Sequence, residues 1–429
     1  MNCKIVIGIL GSGTVGSGVV EVLKANFEDI GKRIGREISI KSVLVRDLTK
    51  KRAHLEGIRL TDNVDDILND PEISIVAELM GGLHPALEYM VKAMEKGKHV
   101  ITANKDAVAQ FGEQLFGAAE KNNVEFRFEA SVGGGIPIIT PLKQCLTANK
   151  ISLIMGIVNG TTNYMLTQMA EKGSDYDEVL KEAQAKGYAE ANPAADVEGL
   201  DAARKAAILG SIAFNTRIKL DDVHVEGITN IKAADIAYAK ELDYVIKLLA
   251  VAKDYGDGGV NVRVHPVFLP SSHPLATVKD VFNAIFIRGN AIGDAMFYGR
   301  GAGSLPTASA VVADIIAVAR NIVIGNTTVM GCTCYNDRKI CPLDETESSY
   351  YIRLWVDDEP GVLGAIATAF GDSEVSLKSV IQTRMVQTHA EIVAVTHIVK
   401  HKRIEKAVEL LKSLSVVDKI CNIIRVEEE

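Results

Sequence analysis

The feature that most narrows what this chain can fold into is Gly11-Ser12-Gly13-Thr14-Val15-Gly16. It follows an apolar run at 4–10 and opens a stretch of helical composition at 14–26. A strand, a glycine loop and a helix in that order form a cradle for a dinucleotide pyrophosphate. Gly11 permits the tight turn, Gly13 lets the backbone approach the phosphates, and Gly16 lets helix and strand pack closely. Thr14, Val15 and Gly16 stand in the first turn of the helix, where backbone amides are free for an anion.

The surrounding sequence supports that reading. Strand-like runs at 4–10, 39–45, 73–79, 99–102 and 124–128 alternate with helical stretches at 14–26, 84–96 and 111–121, the pattern of βαβ units on a parallel sheet. Residues 1–130 are therefore expected to form an α/β, Rossmann-type, doubly wound parallel sheet, completed by an apolar helix at 306–321. Residues 131–305 read as an α+β substrate and dimerisation domain, with a strand at 151–158, helices at 176–187 and 199–214, and strands near 260–268 and 281–289. The segment 348–429 has the order βαββαβ of a ferredoxin-like module: strand 350–356, helix 361–370, strands 375–382 and 390–399, helix 402–414, strand 416–425. It follows a turn-rich linker, so it is expected to be removable without opening the catalytic core.

Bulk properties exclude several functional classes. A net charge of −8 argues against nucleic acid or an anionic membrane as a partner. The N-terminal apolar run breaks at once into glycines, unlike an export signal, and no apolar segment is expected to approach the ~20 residues of a membrane span. Six cysteines in a chain of 429 residues suit reduced thiols, and a cytoplasmic location is expected.

Cofactor choice falls at Val43-Leu44-Val45-Arg46-Asp47, the end of the second strand. An acidic residue there would bind the ribose 2′-OH of NAD, whereas an arginine suits the 2′-phosphate of NADP. Arg46 comes first, with Lys50, Lys51 and Arg52 close behind, so NADP is favoured, while Asp47 keeps NAD open.

Four further segments carry candidate chemistry. Lys105, in Thr102-Ala103-Asn104-Lys105, follows a strand end at the ligand-binding edge of such a sheet. Asn159-Gly160-Thr161-Thr162-Asn163 is a cluster of small hydrogen-bonding residues that also suits a turn with a helix cap. In Gly187-Tyr188-Ala189-Glu190 and Asp196 to Lys205, Asp201 and Lys205 lie four apart on one helix face. Ala202, Ala203, Ala206 and Ala207 surround them and imply close packing. A partly buried lysine beside a carboxylate is suited to the proton transfer that alcohol–carbonyl interconversion requires; a surface ion pair is the plainer alternative. The turn Glu129 to Pro137, dense in backbone carbonyls, suits either a hinge or a monovalent cation held by main-chain oxygens and the Glu129 side chain.

Taken together and in this order, these segments resemble homoserine dehydrogenases, and the resemblance extends to Gly301-Ala302-Gly303 and to Pro306 onward. It implies NAD(P)-dependent interconversion of L-homoserine and L-aspartate 4-semialdehyde. Lys205 would transfer the proton, Glu190 and Asp201 would hold the substrate, and Lys105 would lie at the cofactor–substrate junction. Gly187 and Gly303 would lie against the cofactor, and sodium or potassium would bind the carbonyls of Glu129, Val132, Gly134 and Ile136. The tail resembles an ACT domain, a module that binds amino acids as feedback signals, through Asp358-Glu359-Pro360-Gly361. That implies an amino-acid effector, threonine favoured, and a homodimer or homotetramer.

Two alternatives are weaker. An aldehyde-oxidising enzyme needs a nucleophilic cysteine, and Cys145, the nearest, sits in an apparent amphipathic helix. A non-catalytic sensor would have no use for Glu190, Asp201 and Lys205 together. Cys332, Cys334 and Cys341 lack a clear fourth zinc ligand and read as reduced thiols or a redox-sensitive linker.

Overall fold

The computed structural model describes residues 4–326, 331–386 and 389–427, and the chain divides into two compact units. The first comprises Met1–Ile154, Arg204–Asp221 and Asn283–Asp337; the second comprises Met155–Ala203, Asp222–Phe282 and Arg338–Glu429.

In the first unit a six-stranded sheet runs in the order Arg59–Thr61, Ile38–Leu44, Ile5–Leu10, Ile75–Glu78, His99–Thr102, Phe126–Arg127. Every pairing is parallel. Chain order reverses between Ile5–Leu10 and Ile75–Glu78, so a crevice opens at their carboxyl ends. Strand Arg59–Thr61, too short to show a pattern, was not among the expected runs. Helix Lys105–Lys121 starts at Lys105 rather than at 111. The Asn104 side chain caps it by accepting from the Ala107 amide at 3.1 Å, and non-helical backbone at Phe111 marks a kink where the expected start lay.

Helix Ser304–Ile324 returns to the same core, burying Ala308, Val311, Ile315 and Val318 with Ile7, Ile9 and Val43 of the sheet. By length and composition this 21-residue helix could cross a membrane, which corrects the expectation that no segment reaches that length. Half of it is buried in protein, as in a core helix.

In the second unit, strands Tyr244–Asp254 and Val260–Pro270 pair antiparallel along their whole length. The first of these was not anticipated, because an apolar run buried on both faces carries no alternation to separate strand from helix. Helices Gly160–Lys172 and Ala233–Glu241 were likewise unexpected. The C-terminal module follows βαββαβ order. Its strands lie side by side as Val417–Val426, Glu347–Asp357, His389–Thr396 and Leu377–Val386, with helices Val362–Asp372 and His401–Ser413 between them in sequence.

That module is not a detachable appendage, contrary to expectation. Its strand Val417–Val426 pairs with Val260–Pro270 through Val267 and Phe268. Tyr351 stacks on Phe268, with ring centroids 4.4 Å apart. Arg353 is buried between two carboxylates, donating to Asp235 Oδ1 at 2.8 Å and to Glu391 Oε1 at 2.7 Å. Tyr351 and Asn422 also donate to Asp235, and Tyr238 donates to Glu391. Truncation before Glu347 would strip Phe268 of its cover and remove Tyr351, Arg353 and Asn422 from Asp235.

Arg353→Met should therefore destabilise the protein more than a surface charge deletion would. Removing one member of a buried ion pair typically costs about 3–5 kcal/mol. Urea denaturation should show a lower midpoint for the second unit; a midpoint equal to wild type would mean that the network contributes nothing to stability.

Candidate active site

The glycine loop meets each steric demand of a dinucleotide cradle. Gly11 has φ +100°, and a Cβ there would lie 2.9 Å from the Leu79 carbonyl oxygen. A Cβ on Gly16 would strike the Gly11 carbonyl, whereas Gly13 faces open space. Gly13 is also the N-cap of helix Thr14–Ala25 and makes no side-chain cap, so the first amides of that helix point to the opening. The crevice is a cavity of about 470 Å³ walled by the glycine loop, Arg46, Arg52, Asp62 and Met80. Its residues fit a dinucleotide: no Cβ fills the cradle, and cations stand at the end of the second strand.

Within that wall the charges are sorted. Asp47 turns into its own loop, accepting from the Thr49 amide at 2.8 Å and the Thr49 hydroxyl at 2.6 Å, bonds that lower its pKa. Arg52 donates to the Asp47 and Lys50 carbonyls, which holds the basic loop in a defined shape. Arg46 is exposed. Gly303, with φ +123°, caps helix Ser304–Ile324, and the Ser304 hydroxyl donates to the Thr14 carbonyl at 2.8 Å. That bond draws Gly303 and the glycine loop together.

Lys105 is half-buried at the first position of its helix. A cation there gains nothing from the helix dipole. A network that sequence reasoning missed fixes this corner. Buried Glu78 accepts from the Thr102 hydroxyl at 2.6 Å and from the Met80 and Gly81 amides. Burial nevertheless pushes its pKa up. Asn104 donates to the Gly82 carbonyl at 2.6 Å, and its own amide donates to Thr102. The acidic end of one strand, Glu78, and the polar end of the next, Thr102, were the available signal.

In the first unit Asp106 pairs with Arg204 at 2.5 Å, which brings the helix bearing Lys105 against the helix segment bearing Lys205. Lys205 is half-buried among Ala206, Ala207 and Ile208. The close packing implied by the alanines is present.

In the second unit Asn159 organises the acidic residues. Its Nδ2 donates to Asp196 Oδ1 at 2.7 Å and to Asp201 Oδ2 at 2.9 Å. Its Oδ1 caps helix Gly160–Lys172 through the Thr162 amide at 2.9 Å. Asp196 was read only as part of a segment, and its pairing with Asp201 was missed. Thr161 donates to the Tyr188 carbonyl at 2.6 Å, and Gln184 donates to the Glu190 carbonyl at 3.1 Å, which tie down the segment carrying exposed Glu190. Gly187 has φ +74°, a turn conformation that favours glycine. Asn163 has a different role: it donates to the Val278, Asp280 and Phe282 carbonyls and accepts from buried Lys247.

The turn at 129–136 lies buried in the first unit. Gly133 and Gly134 have φ +73° and +55°. The Glu129 carboxylate accepts from the Ile138, Ile139 and Thr140 amides at 2.6–2.7 Å, so its oxygens hold the turn. Among the described residues no group of three or more His, Cys, Asp or Glu could hold a metal. Cys145 ends a short π-type turn, Pro141–Cys145, instead of lying on an extended amphipathic helix, and it lines a separate cavity beside Asp314 and Arg320.

Comparison with known proteins agrees with this geometry. The family profile described as homoserine dehydrogenase matches residues 137–316, that of its NAD-binding domain matches 11–129, and an ACT domain matches 350–416. The homoserine dehydrogenase of Synechocystis sp. is 45% identical over 98% of this chain and 99% of its own. That of Bacillus subtilis is 42% identical, with 98% of each chain covered. The crystal structure of a homoserine dehydrogenase from Thiobacillus denitrificans superposes with a TM-score of 0.95 at 42% identity, covering 99% of this chain and 98% of that one. A hyperthermophilic archaeal homoserine dehydrogenase in complex with NADPH is 28% identical, covering 73% of this chain and 97% of its own, at a TM-score of 0.62.

Gly11→Ala should abolish nicotinamide dinucleotide binding without unfolding the protein. The added methyl meets a backbone oxygen at positive φ, a strain of roughly 1–3 kcal/mol. Cofactor fluorescence titration checks this, and wild-type affinity in the variant would show that the loop tolerates a side chain.

Proposed function

The chain belongs to the homoserine dehydrogenase family, and from that premise we propose that it interconverts L-homoserine and L-aspartate 4-semialdehyde in threonine, methionine and isoleucine biosynthesis. The observation that carries this reading is the Asn159 amide joining the Asp196 and Asp201 carboxylates, an acidic patch matched to a substrate ammonium. Asp201 and Glu190 hold the amino and hydroxyl groups of the substrate. Lys205, one turn on from Asp201, takes the proton from the hydroxyl oxygen, or returns it in the reverse direction. The bound nicotinamide supplies the hydride acceptor or donor. The amides of Gly11, Gly13, Thr14, Val15 and Gly16 hold the pyrophosphate, Gly187 and Gly303 lie against the cofactor, and Lys105 sits at its junction with substrate.

NADP is the preferred cofactor in this reading, because Arg46 and Arg52 wall the crevice while Asp47 is engaged in its own loop. Sodium or potassium binds the carbonyls of Glu129, Val132, Gly134 and Ile136, a role supported by the two positive-φ glycines in the turn. A homodimer or homotetramer is supported by the strand Gly293–Arg300, which leaves Met296 and Tyr298 exposed. Five free cysteines among the described residues suit the reducing cytoplasm. The ACT module binds an amino acid, threonine in this reading, near Gly361, where φ is +97° and a Cβ would meet open space.

Lys205→Ala should lower kcat with L-homoserine by about 10²- to 10⁴-fold while cofactor still binds; retention of more than about a third of wild-type kcat would remove Lys205 from the chemistry. Arg46→Ala should weaken NADPH binding more than NADH binding, since only NADPH offers a 2′-phosphate to a guanidinium. Equal losses would make Arg46 a loop charge. Millimolar threonine should inhibit the intact enzyme about 5- to 150-fold in apparent affinity or rate, the range of ordinary allosteric coupling. A response to isoleucine or methionine alone would reassign the effector.

A further inference from the structure

We propose that Cys332 and Cys334 form a redox-responsive dithiol, in which Cys332 attacks low-molecular-weight disulfides and Cys334 resolves the product into an intrachain disulfide. The argument rests on what surrounds the Cys332 sulfur. The Arg217 guanidinium donates to it from 3.1 Å. Lys143, buried against the ring of Phe116 at 4.7 Å, donates to the Gly331 carbonyl at 2.8 Å, which sets its amine beside the same segment. The Cys334 thiol forms a third contact, a hydrogen bond to the Cys332 sulfur. Cys332 is exposed and Cys334 is half-buried, which suits an attacking and a resolving thiol.

The surrounding chain holds this arrangement in place. The Asn336 amide donates to the Asn215 carbonyl at 2.8 Å, so the segment after the cysteines is tied to the turn preceding Arg217. A small cavity of about 30 Å³ lies beneath, lined by Val108 of the helix that begins at Lys105 and by Ile208 and Ser211 of the helix that carries Lys205. A structural zinc would need four ligands, and among the described residues no three metal-ligating side chains converge. Simple packing does not account for an exposed sulfur held by a guanidinium.

Electrostatics points the same way. The Cys334 hydrogen bond, with Arg217 and Lys143, holds the Cys332 thiol down to about 5, and the same bond pushes Cys334 up. These groups favour the thiolate at Cys332, the form that attacks disulfides. The reaction balances as two exchanges. The Cys332 sulfur forms a bond to one sulfur of the small disulfide as that S–S bond breaks, and the released thiolate takes a proton from water. Cys334 then gives its proton to water and attacks the Cys332 sulfur, expelling the second thiolate. Two protein thiols are oxidised to one disulfide, and one small disulfide is reduced to two thiols.

The test uses the full-length protein, reduced and then freed of reductant. Incubation with millimolar glutathione disulfide should give an intrachain Cys332–Cys334 disulfide by peptide mass mapping, and Cys334→Ser should stop at a glutathione adduct on Cys332. In parallel, iodoacetamide labelling of Cys332 should change less than about 3-fold between pH 6 and 8, while N-acetylcysteine in the same tube rises about 100-fold. Arg217→Gln should steepen the Cys332 profile. The proposal is overturned if Cys332 labelling climbs as steeply as that of N-acetylcysteine, or if glutathione disulfide leaves both cysteines as free thiols.

Discussion

A guanidinium placed between two carboxylates and sealed from water governs the second unit. Arg353 reaches Asp235 on one side and Glu391 on the other, and all three are buried. Separately, each charge would be costly to bury; together they fix the register of the strand Glu347–Asp357 against the helix Ala233–Glu241. Tyr351 and Asn422 are further donors to Asp235, and Tyr238 is a further donor to Glu391. An ACT module attached in this way shares a compact unit with the cluster of Asn159, Asp196 and Asp201. The last strand of the module pairs directly with Val260–Pro270, which in turn pairs with Tyr244–Asp254.

The glycine loop and the Asn159 cluster are built on opposite principles. The cofactor side works by subtraction: side chains are removed at Gly11, Gly13 and Gly16 so that backbone meets backbone or solvent. The Asn159 cluster works by addition, gathering carboxylates around one amide. Asn159 spends its donors on Asp196 and Asp201 and its acceptor on the helix that follows it. One side chain therefore sets both the start of a helix and the spacing of two negative charges.

Those principles explain what could be read in advance. The glycine loop was legible because its three glycines fall within six residues, directly between a strand-like run and a helical stretch. The Asp201–Lys205 spacing was legible because a helix converts a separation of four into a shared face. The Asn159 bridge was not, since its partners lie 37 and 42 positions away. The Arg353 clasp was hidden for the same reason, its carboxylates standing 118 and 38 positions off. The assumption of a detachable tail failed because a linker in sequence says nothing about which strands pair. The early start of the helix at Lys105 was within reach, because Asn104 is a good cap and only the later apolar spacing was weighed.

Helix Ser304–Ile324 has a consequence for synthesis. Its Ser304 hydroxyl closes onto Thr14 across 290 positions, and its apolar face completes a core begun by the first strand. On a ribosome extending at roughly 5–20 residues per second, the nucleotide-binding sheet would wait about 10–40 seconds for that helix after its own last strand had emerged. During that interval Ile7, Ile9 and Val43 lack the cover they have in the finished protein. The nascent chain would be a natural client for a chaperone that recognises exposed aliphatic strands, and its need for one should fall once residue 324 has cleared the exit tunnel.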